Sequence, residues 1–380
     1  MKIALVGFKL SIGNSLFMEI LADRLKRAGE LVYMCGEKKF FYHKSYKGVG
    51  LGSGGSAVKM FLDTFNVINW IRFFRFIMDT RPDVVYFIAS HPLNNVGIVL
   101  LKVYNKLYND DVKSISHIHD PVPHLNTKHW LAIYFSQLCQ INISDKICVF
   151  AKGLADYIVR RYKIPRDKIL YIRHGAYRMK DRQNLYPDYG RKKLVYVSLL
   201  GRIDEYKGVD IFLQAAKKVI STIDMSKNEV IFLIGGEGNL GKYYKLINEI
   251  PSKNLEIRNY LLSNEEFDYL LQRSFCAVLP YKDASQTGNI QIAYYNACPV
   301  IVTNTGSLSE LVVDRETGFI TPVNDVDSIA EKIIFFIKNP YERMLFGRRA
   351  FEFYKGNLTW ETIISDFILK LRRLRNMERC

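Results

Sequence analysis

Apolar and polar positions along the 380-residue chain fall into two successive series of alternating segments. Short apolar runs occur at 2–7 (KIALVG), 31–36 (LVYMCG), 84–89 (VVYFIA), 112–118 (VKSISHI), 147–151 and 169–173. Stretches with helical spacing separate them, as at Leu16, Ile20, Leu21 and Leu25. Strands alternating with helices predict a parallel sheet covered on both faces. The polar, turn-prone stretch 174–193 (HGAYRMKDRQNLYPDYGRKK) breaks the series. A second series comes after it, with strands expected at 194–200, 230–236, 255–259, 276–280 and 299–304. Its helices are expected at 209–222, 240–249, 264–272, 288–296, 326–338 and 341–355. The pattern predicts two α/β domains in tandem: 1–176, a linker at 177–193, and 194–355. The amphipathic tail 356–380 is expected to pack back on the first domain through Ile363, Ile364, Phe367, Ile368, Leu371 and Leu374.

Two stretches depart from this rhythm. Residues 37–56 are glycine-rich, with Lys38, Lys39, Lys44 and Lys47 beside Phe40, Phe41 and Tyr42, and read as a long loop. Residues 59–79 read as a helix carrying Phe61, Phe65, Trp70, Phe73, Phe74 and Phe76 with Arg72 and Arg75 among them. Such a helix is either a crossover buried on one side or an interfacial surface whose aromatics enter a headgroup layer while its cations meet anionic lipid. The two do not exclude each other.

Composition narrows the class. An apolar content of 48% supports real cores, and the length suits two domains. Six widely spaced cysteines with no CxxC pair argue against a disulfide scaffold or thiolate zinc site and fit a reducing compartment. Cys298, in NACPV, reads as a small buried apolar residue. No signal peptide and no run of eighteen apolar residues is visible, so a cytoplasmic location is expected. The net charge of +16 calls for a polyanionic neighbour: nucleic acid, an anionic membrane face or a phosphorylated substrate.

The candidate chemistry centres on 197–210 (VSLLGRIDEYKGVD). A strand that ends at a glycine turn and hands over to a helix is a natural anion cradle, to which Arg202 and Lys207 add two cations. Gly201, the GGEGN turn with Gly236 and Glu237, and the YKDASQTGN turn with Thr287 and Gly288 each come after a strand and can point backbone N–H groups at the same crevice. In the first domain, strand 112–118 delivers His117, His119, Asp120 and His124 near its carboxyl end, where α/β sheets place ligands. Metal binding, a substrate contact by His119 and plain structural contacts all remain open there; no HExxH motif or matching carboxylate set supports the metal.

The order GRxxxxKGVDxFLxAA, LIGGEG and ACPVIVTxTGSLSELVVDRETGFI resembles the retaining nucleotide-sugar glycosyltransferases of family four. That resemblance implies the GT-B fold: two Rossmann-like α/β domains facing each other across a cleft. It implies that Arg202 and Lys207 bind the donor diphosphate and stabilise the leaving group. It also implies that Gly13 and Asn14 approach donor phosphate and acceptor, that His119 faces the reacting sugar, and that Glu310 lies beside the nucleotide. The family's two glutamates, with seven residues between them, are missing: Ala284 and Ile292 stand at their positions. One residue earlier, Asp283 and Gln291 keep the gap. The segment is similar to a variant typical of bacterial surface-polysaccharide enzymes, in which an Asp-Ala-Ser/Thr-Gln-Ser/Thr-Gly run replaces the first glutamate region. Asp283 is then expected to meet the sugar and Gln291 the ribose, with Ser285 and Gln286 in the donor-binding segment; His91 and Asp120 fall on the acceptor side.

The activity implied by this resemblance is transfer of a sugar from a nucleotide sugar to a hydroxyl of a glycan or lipid-linked acceptor, in capsule, exopolysaccharide or lipopolysaccharide synthesis. Same-face attack is expected, without metal or other cofactor, at the inner face of an anionic membrane to which the protein binds peripherally. Three rivals are an epimerase or phosphorylase on the same fold, a non-catalytic partner subunit motivated by the missing glutamates, and a nucleic-acid-binding module. The last shows no RRM, KH or zinc-finger pattern, and no nucleic-acid partner is expected.

Overall fold

A strand covered by helices on both faces is apolar at nearly every position, and runs such as IALVG and VSLL have that composition. The computed structural model describes residues 1–8, 10, 12–36, 47–50, 65–118, 130–175, 195–224, 229–283 and 287–376. Those up to Arg173 and from Trp360 onward form one unit, and those from His174 to Thr359 a second. The linker expected at 177–193 lies outside the described residues.

The first unit holds β1 (Lys2–Gly7), β2 (Leu31–Gly36), β3 (Lys47–Gly50), β4 (Val84–Phe87), β5 (Lys113–His117), β6 (Lys146–Val149) and β7 (Ile169–Tyr171). They pair in parallel in the order β3-β2-β1-β4-β5-β6-β7. The chain between them forms α1 (Ile12–Arg27), α2 (Val67–Thr80), α3 (Pro92–Tyr108), α4 (Trp130–Ile143) and α5 (Lys152–Tyr162).

The second unit holds β8 (Tyr196–Leu200), β9 (Ile231–Gly235), β10 (Leu255–Arg258), β11 (Ser274–Leu279), β12 (Val300–Thr303) and β13 (Gly318–Thr321). Its sheet is also wholly parallel, in the order β10-β9-β8-β11-β12-β13. The helices are α6 (Val209–Thr222), α7 (Tyr244–Asn248), α8 (Asn264–Gln272), α9 (Asn289–Tyr295), α10 (Val326–Lys338) and α11 (Pro340–Asn357). Each sheet winds outward in both directions from its first strand. Strand order therefore reverses between β1 and β4, and between β8 and β11, and such switch points are where α/β sheets open a crevice above their carboxyl ends.

The tail forms α12 (Trp360–Asn376) and belongs to the first unit. Ile363, Ile364, Phe367 and Leu371 join the core that α1 makes with Phe17, Leu21 and Leu25. Two ion pairs flank that contact, Arg24–Glu361 at 2.6 Å and Arg372–Glu30 at 2.9 Å.

Several elements differ from the sequence pattern, for identifiable reasons. Part of the expected loop 37–56 is β3, whose KGVG sequence has no apolar alternation; backbone pairing with β2 defines it. The helix expected from residue 59 is described from Val67, where the Asn66 side chain accepts the Asn69 N–H and caps it. Its aromatics point mostly inward. Phe73 and Phe76 are buried, and Trp70 meets Phe8 edge-on at 5.5 Å, which is crossover packing. The helix expected at 240–249 shrinks to a 3₁₀ turn and the five residues of α7. The apolar pattern singles out neither α4 nor β13.

Candidate functional site

The second unit's switch point is built from two glycine turns set side by side. After β8 the chain turns at Gly201 (φ +107°), whose N–H donates to the Gly235 carbonyl at 2.8 Å. After β9 it turns at Gly236 (φ +145°), where a methyl group would sit 2.1 Å from the Gly201 carbonyl oxygen. The Ile203 N–H then donates to the Glu237 carbonyl at 2.8 Å. Both glycines are obligatory, one by its φ and the other by contact as well.

Into this cradle the 3₁₀ turn Glu205–Lys207 delivers Lys207. The side chain is only 8% exposed, and its Nζ lies 3.4 Å from where a Cβ on Gly201 would be. The ammonium lies 5.6 Å from the ring centre of Tyr281 and 6.0 Å from that of Tyr206. Burial holds it below the usual lysine range. Burial likewise pushes the Tyr281 phenol up to about 12, so it stays neutral. Asp204, the carboxylate that acts most directly on Lys207, is engaged by Arg202, whose Nε donates to Oδ2 at 2.6 Å. Among the described residues the Lys207 ammonium forms no hydrogen bond or ion pair. A cation removed from water without a counter-charge is costly, and an anion in the glycine cradle would relieve that cost. Arg202 sits largely in solvent beside it, with its two terminal nitrogens uncommitted among the described residues.

Asn289, the last residue of the YKDASQTGN turn and given no role by the sequence, locks this arrangement. Its Nδ2 donates to the Leu200 carbonyl at 2.8 Å and to the Tyr281 hydroxyl at 3.1 Å, and lies 2.8 Å from a Cβ placed on Gly201. The first residue of α9 thus fixes the end of β8 and one wall of the lysine pocket. Asn289→Ala leaves a buried carbonyl and phenol without their donor and is expected to cost about 1–3 kcal/mol in a denaturant melt. It should also weaken anion binding at the cradle, read by calorimetric titration with inorganic pyrophosphate.

Other expected site residues spread more widely. The Thr287 hydroxyl accepts the Asn289 N–H at 3.2 Å, and Gly288 is the residue preceding α9. Asp283, Glu237 and Glu310 are not buried. Gln291 is fully buried; its Nε2 donates to the His174 carbonyl at 3.2 Å and its Oε1 is enclosed without a partner among the described residues. In the first unit Gly13 and Asn14 fall within the first turn of α1. His91 caps α3, its Nδ1 accepting the Leu93 N–H at 3.2 Å, so in the neutral ring the proton sits on Nε2. His119, Asp120, Ser285 and Gln286 lie outside the described residues. Among the described residues no group of three or more His, Cys, Asp or Glu could hold a metal ion.

Residues 180–353 match the family model described as "Glycosyl transferases group 1". An uncharacterized glycosyltransferase of Methanocaldococcus jannaschii, MJ1178, is 28% identical over 236 residues, which is 61% of this chain and 60% of that relative. The chain thus spans less than two thirds of that curated protein. Among solved structures, Anabaena HepE in complex with UDP superposes with a TM-score of 0.72 at 13% identity, over 98% of this chain and 100% of that one. The lipopolysaccharide outer core galactosyltransferase WaaB, in its apo form, superposes with a TM-score of 0.71 at 14% identity, over 98% and 99%. The fold is that of these proteins, with two Rossmann-like α/β domains of the GT-B type.

Proposed function

We propose that this chain is a glycosyltransferase that moves a sugar from a nucleoside diphosphate sugar to an acceptor hydroxyl, with the diphosphate held in the Gly201–Lys207 cradle. The observation that carries this reading is Lys207, a buried ammonium with no protein counter-charge bonded to it among the described residues, at the switch point of a parallel sheet. A diphosphate supplies the missing charge, and its oxygens accept from Lys207 and from the Arg202 fork; the Gly201 and Gly236 amides already donate to the Gly235 and Arg258 carbonyls and shape the cradle without bonding the ligand. The match to the glycosyl transferase family model over 180–353 supports the same assignment.

The chemistry rests on that placement. As the bond from the anomeric carbon to the diphosphate oxygen breaks, negative charge grows on the departing phosphate and the sugar gains oxocarbenium character. Lys207 and Arg202 stabilise that charge most where water is excluded. The acceptor oxygen bonds to the anomeric carbon from the face the leaving group vacates, and its proton passes to the departing phosphate, so configuration is retained. Asp283 is assigned to the sugar, and Gly236, Glu237, Ser285, Gln286, Thr287, Gly288 and Glu310 to the nucleotide side; Gln291, expected at the ribose, is fully buried on the His174 carbonyl and is given no ligand contact. His119 is assigned to the reacting sugar, His91 and Asp120 to the acceptor, and Gly13 with Asn14 to the donor phosphate. A surface glycan or its lipid-linked precursor is the acceptor class, in line with the lipopolysaccharide enzyme among the structural relatives.

The test is transfer from UDP-, GDP-, TDP- and ADP-sugars, with the anomeric configuration of the product read by NMR. Retention is expected, and inversion would refute the same-face mechanism. Arg202→Ala should lower kcat/KM by about tenfold to a hundredfold through loss of charge-assisted phosphate contacts. Its thermal midpoint should barely move, because an exposed ion pair such as Arg202–Asp204 contributes at most about 1 kcal/mol.

A further inference from the structure

The helical layer on one side of the first sheet carries an unusually apolar outer face. Helix α4 runs WLAIYFSQLCQINI and contains no charged residue; Ile141 anchors it in a core with Ile147 and Val149, yet other apolar positions face outward. Its polar side chains Ser136, Gln137 and Gln140 are buried, while Leu131 and Phe135 are exposed, the latter by 59%. Two of the buried polar groups face α3: Asn95 Nδ2 donates to Ser136 Oγ at 3.2 Å, and Gln140 Nε2 donates to the His91 carbonyl at 3.1 Å. A surface helix in water turns apolar residues inward and charges outward.

The neighbouring helices pack apolar residues inward and expose further aliphatic ones. Helices α2 and α3 share one core with Val85 and Phe87 of β4 on the same side of the sheet. On their outer faces α2 exposes Ile68 and Ile71, and α3 exposes Val99 and Val103. The exposed cations among these apolar residues are Arg72, Arg75, Lys102 and Lys106, and across the three helices Asp79 is the one acidic residue. An apolar surface edged by cations repels a second copy of itself and complements an anionic bilayer. There the aliphatic groups enter the acyl boundary and the cations meet phosphates. Among the described residues no helix is long and apolar enough to cross a membrane, so such a surface lies on the bilayer.

We propose that the outer face of α2, α3 and α4 is a docking surface for anionic lipid bilayers. Its working contacts are the aliphatic residues and Phe135, whereas Phe73 and Phe76 belong to the core. The inference stands independently of the sugar-transfer reading, since its residues all belong to the first unit.

Flotation of the full chain with vesicles tests it. Wild-type protein should float with phosphatidylcholine vesicles containing phosphatidylglycerol at low salt, and far less with phosphatidylcholine alone. Arg72→Ala/Arg75→Ala should lower anionic binding by about tenfold or more and flatten its salt dependence. Ile71→Glu/Phe135→Glu should abolish binding while the melting midpoint and UDP affinity stay at wild-type values. Loss of UDP binding in the wild type would count against the cradle alone, not against this surface. Equal flotation of wild type and the glutamate variant would overturn the proposal. So would a wild-type dimer in sedimentation velocity that the glutamate variant converts to monomer, which would assign the face to a second copy.

Discussion

Replacing Lys207 by methionine is expected to abolish sugar transfer while making the protein more stable. Methionine retains most of the stem that packs between Tyr206 and Tyr281 but carries no charge. Transition-state charge on the departing diphosphate loses a donor in a shielded site, a change that lowers kcat by about 10²–10³. In the unliganded protein the same substitution removes a buried cation that no carboxylate neutralises directly, which should raise stability by roughly 1–3 kcal/mol. A merely structural lysine would give the opposite sign in the melt. The pH dependence carries a further signature. Burial lowers the Lys207 pKa in the folded chain, so between that value and the ordinary lysine value the unfolded chain binds the extra proton. Wild-type stability is therefore penalised below this window and recovers as pH rises through it. The gap between Lys207→Met and wild type should narrow towards the ordinary lysine range in denaturant melts run at several pH values.

Gly208→Ala is expected to be severely damaging, as is a methyl group at Gly236. Gly208 has φ +70°, and a Cβ there would lie 2.0 Å from the Pro280 carbonyl oxygen, a backbone atom that cannot step aside. The left-handed conformation and the overlap together should cost about 2–4 kcal/mol. The turn that presents Lys207 would shift with it, so donor affinity should fall as well. Gly29→Ala separates the two contributions. Gly29 has φ +83°, but nothing lies within 4 Å of its Cβ position, so that substitution should cost only about 1 kcal/mol. Equal melting midpoints for the two variants would show that the packing of the 205–208 turn against the end of β11 does not matter.

How far each element is legible in the sequence depends on the kind of signal it carries. Central parallel strands announce themselves, because burial on both faces leaves a continuous apolar run; LVYMCG at 31–36 coincides with β2 residue for residue. An edge strand such as β3 has no such signature, since KGVG is defined by backbone pairing. Helix α4 lacks a readable period because its buried side mixes Ser136, Gln137 and Gln140 with Ile141, while Leu131 and Phe135 are exposed. At the cradle, Arg202 and Lys207 can be singled out by their place between a strand and a helix. Asn289 cannot, because its role comes from reaching the Leu200 carbonyl 89 residues earlier in the chain. Gln291 shows the converse: spacing alone selects it for the ribose, and only the fold shows it fully buried with its amide on the His174 carbonyl.

The central claim is that the anion of the Gly201–Lys207 cradle is the diphosphate of a nucleotide. A crystal structure of the protein with UDP bound tests this most directly. The prediction is that diphosphate oxygens lie within hydrogen-bond distance of Lys207 Nζ and the Arg202 guanidinium, with the Gly201–Arg202 backbone lining the same pocket. A diphosphate bound elsewhere in the molecule, with Lys207 still enclosed and unpaired, would contradict it.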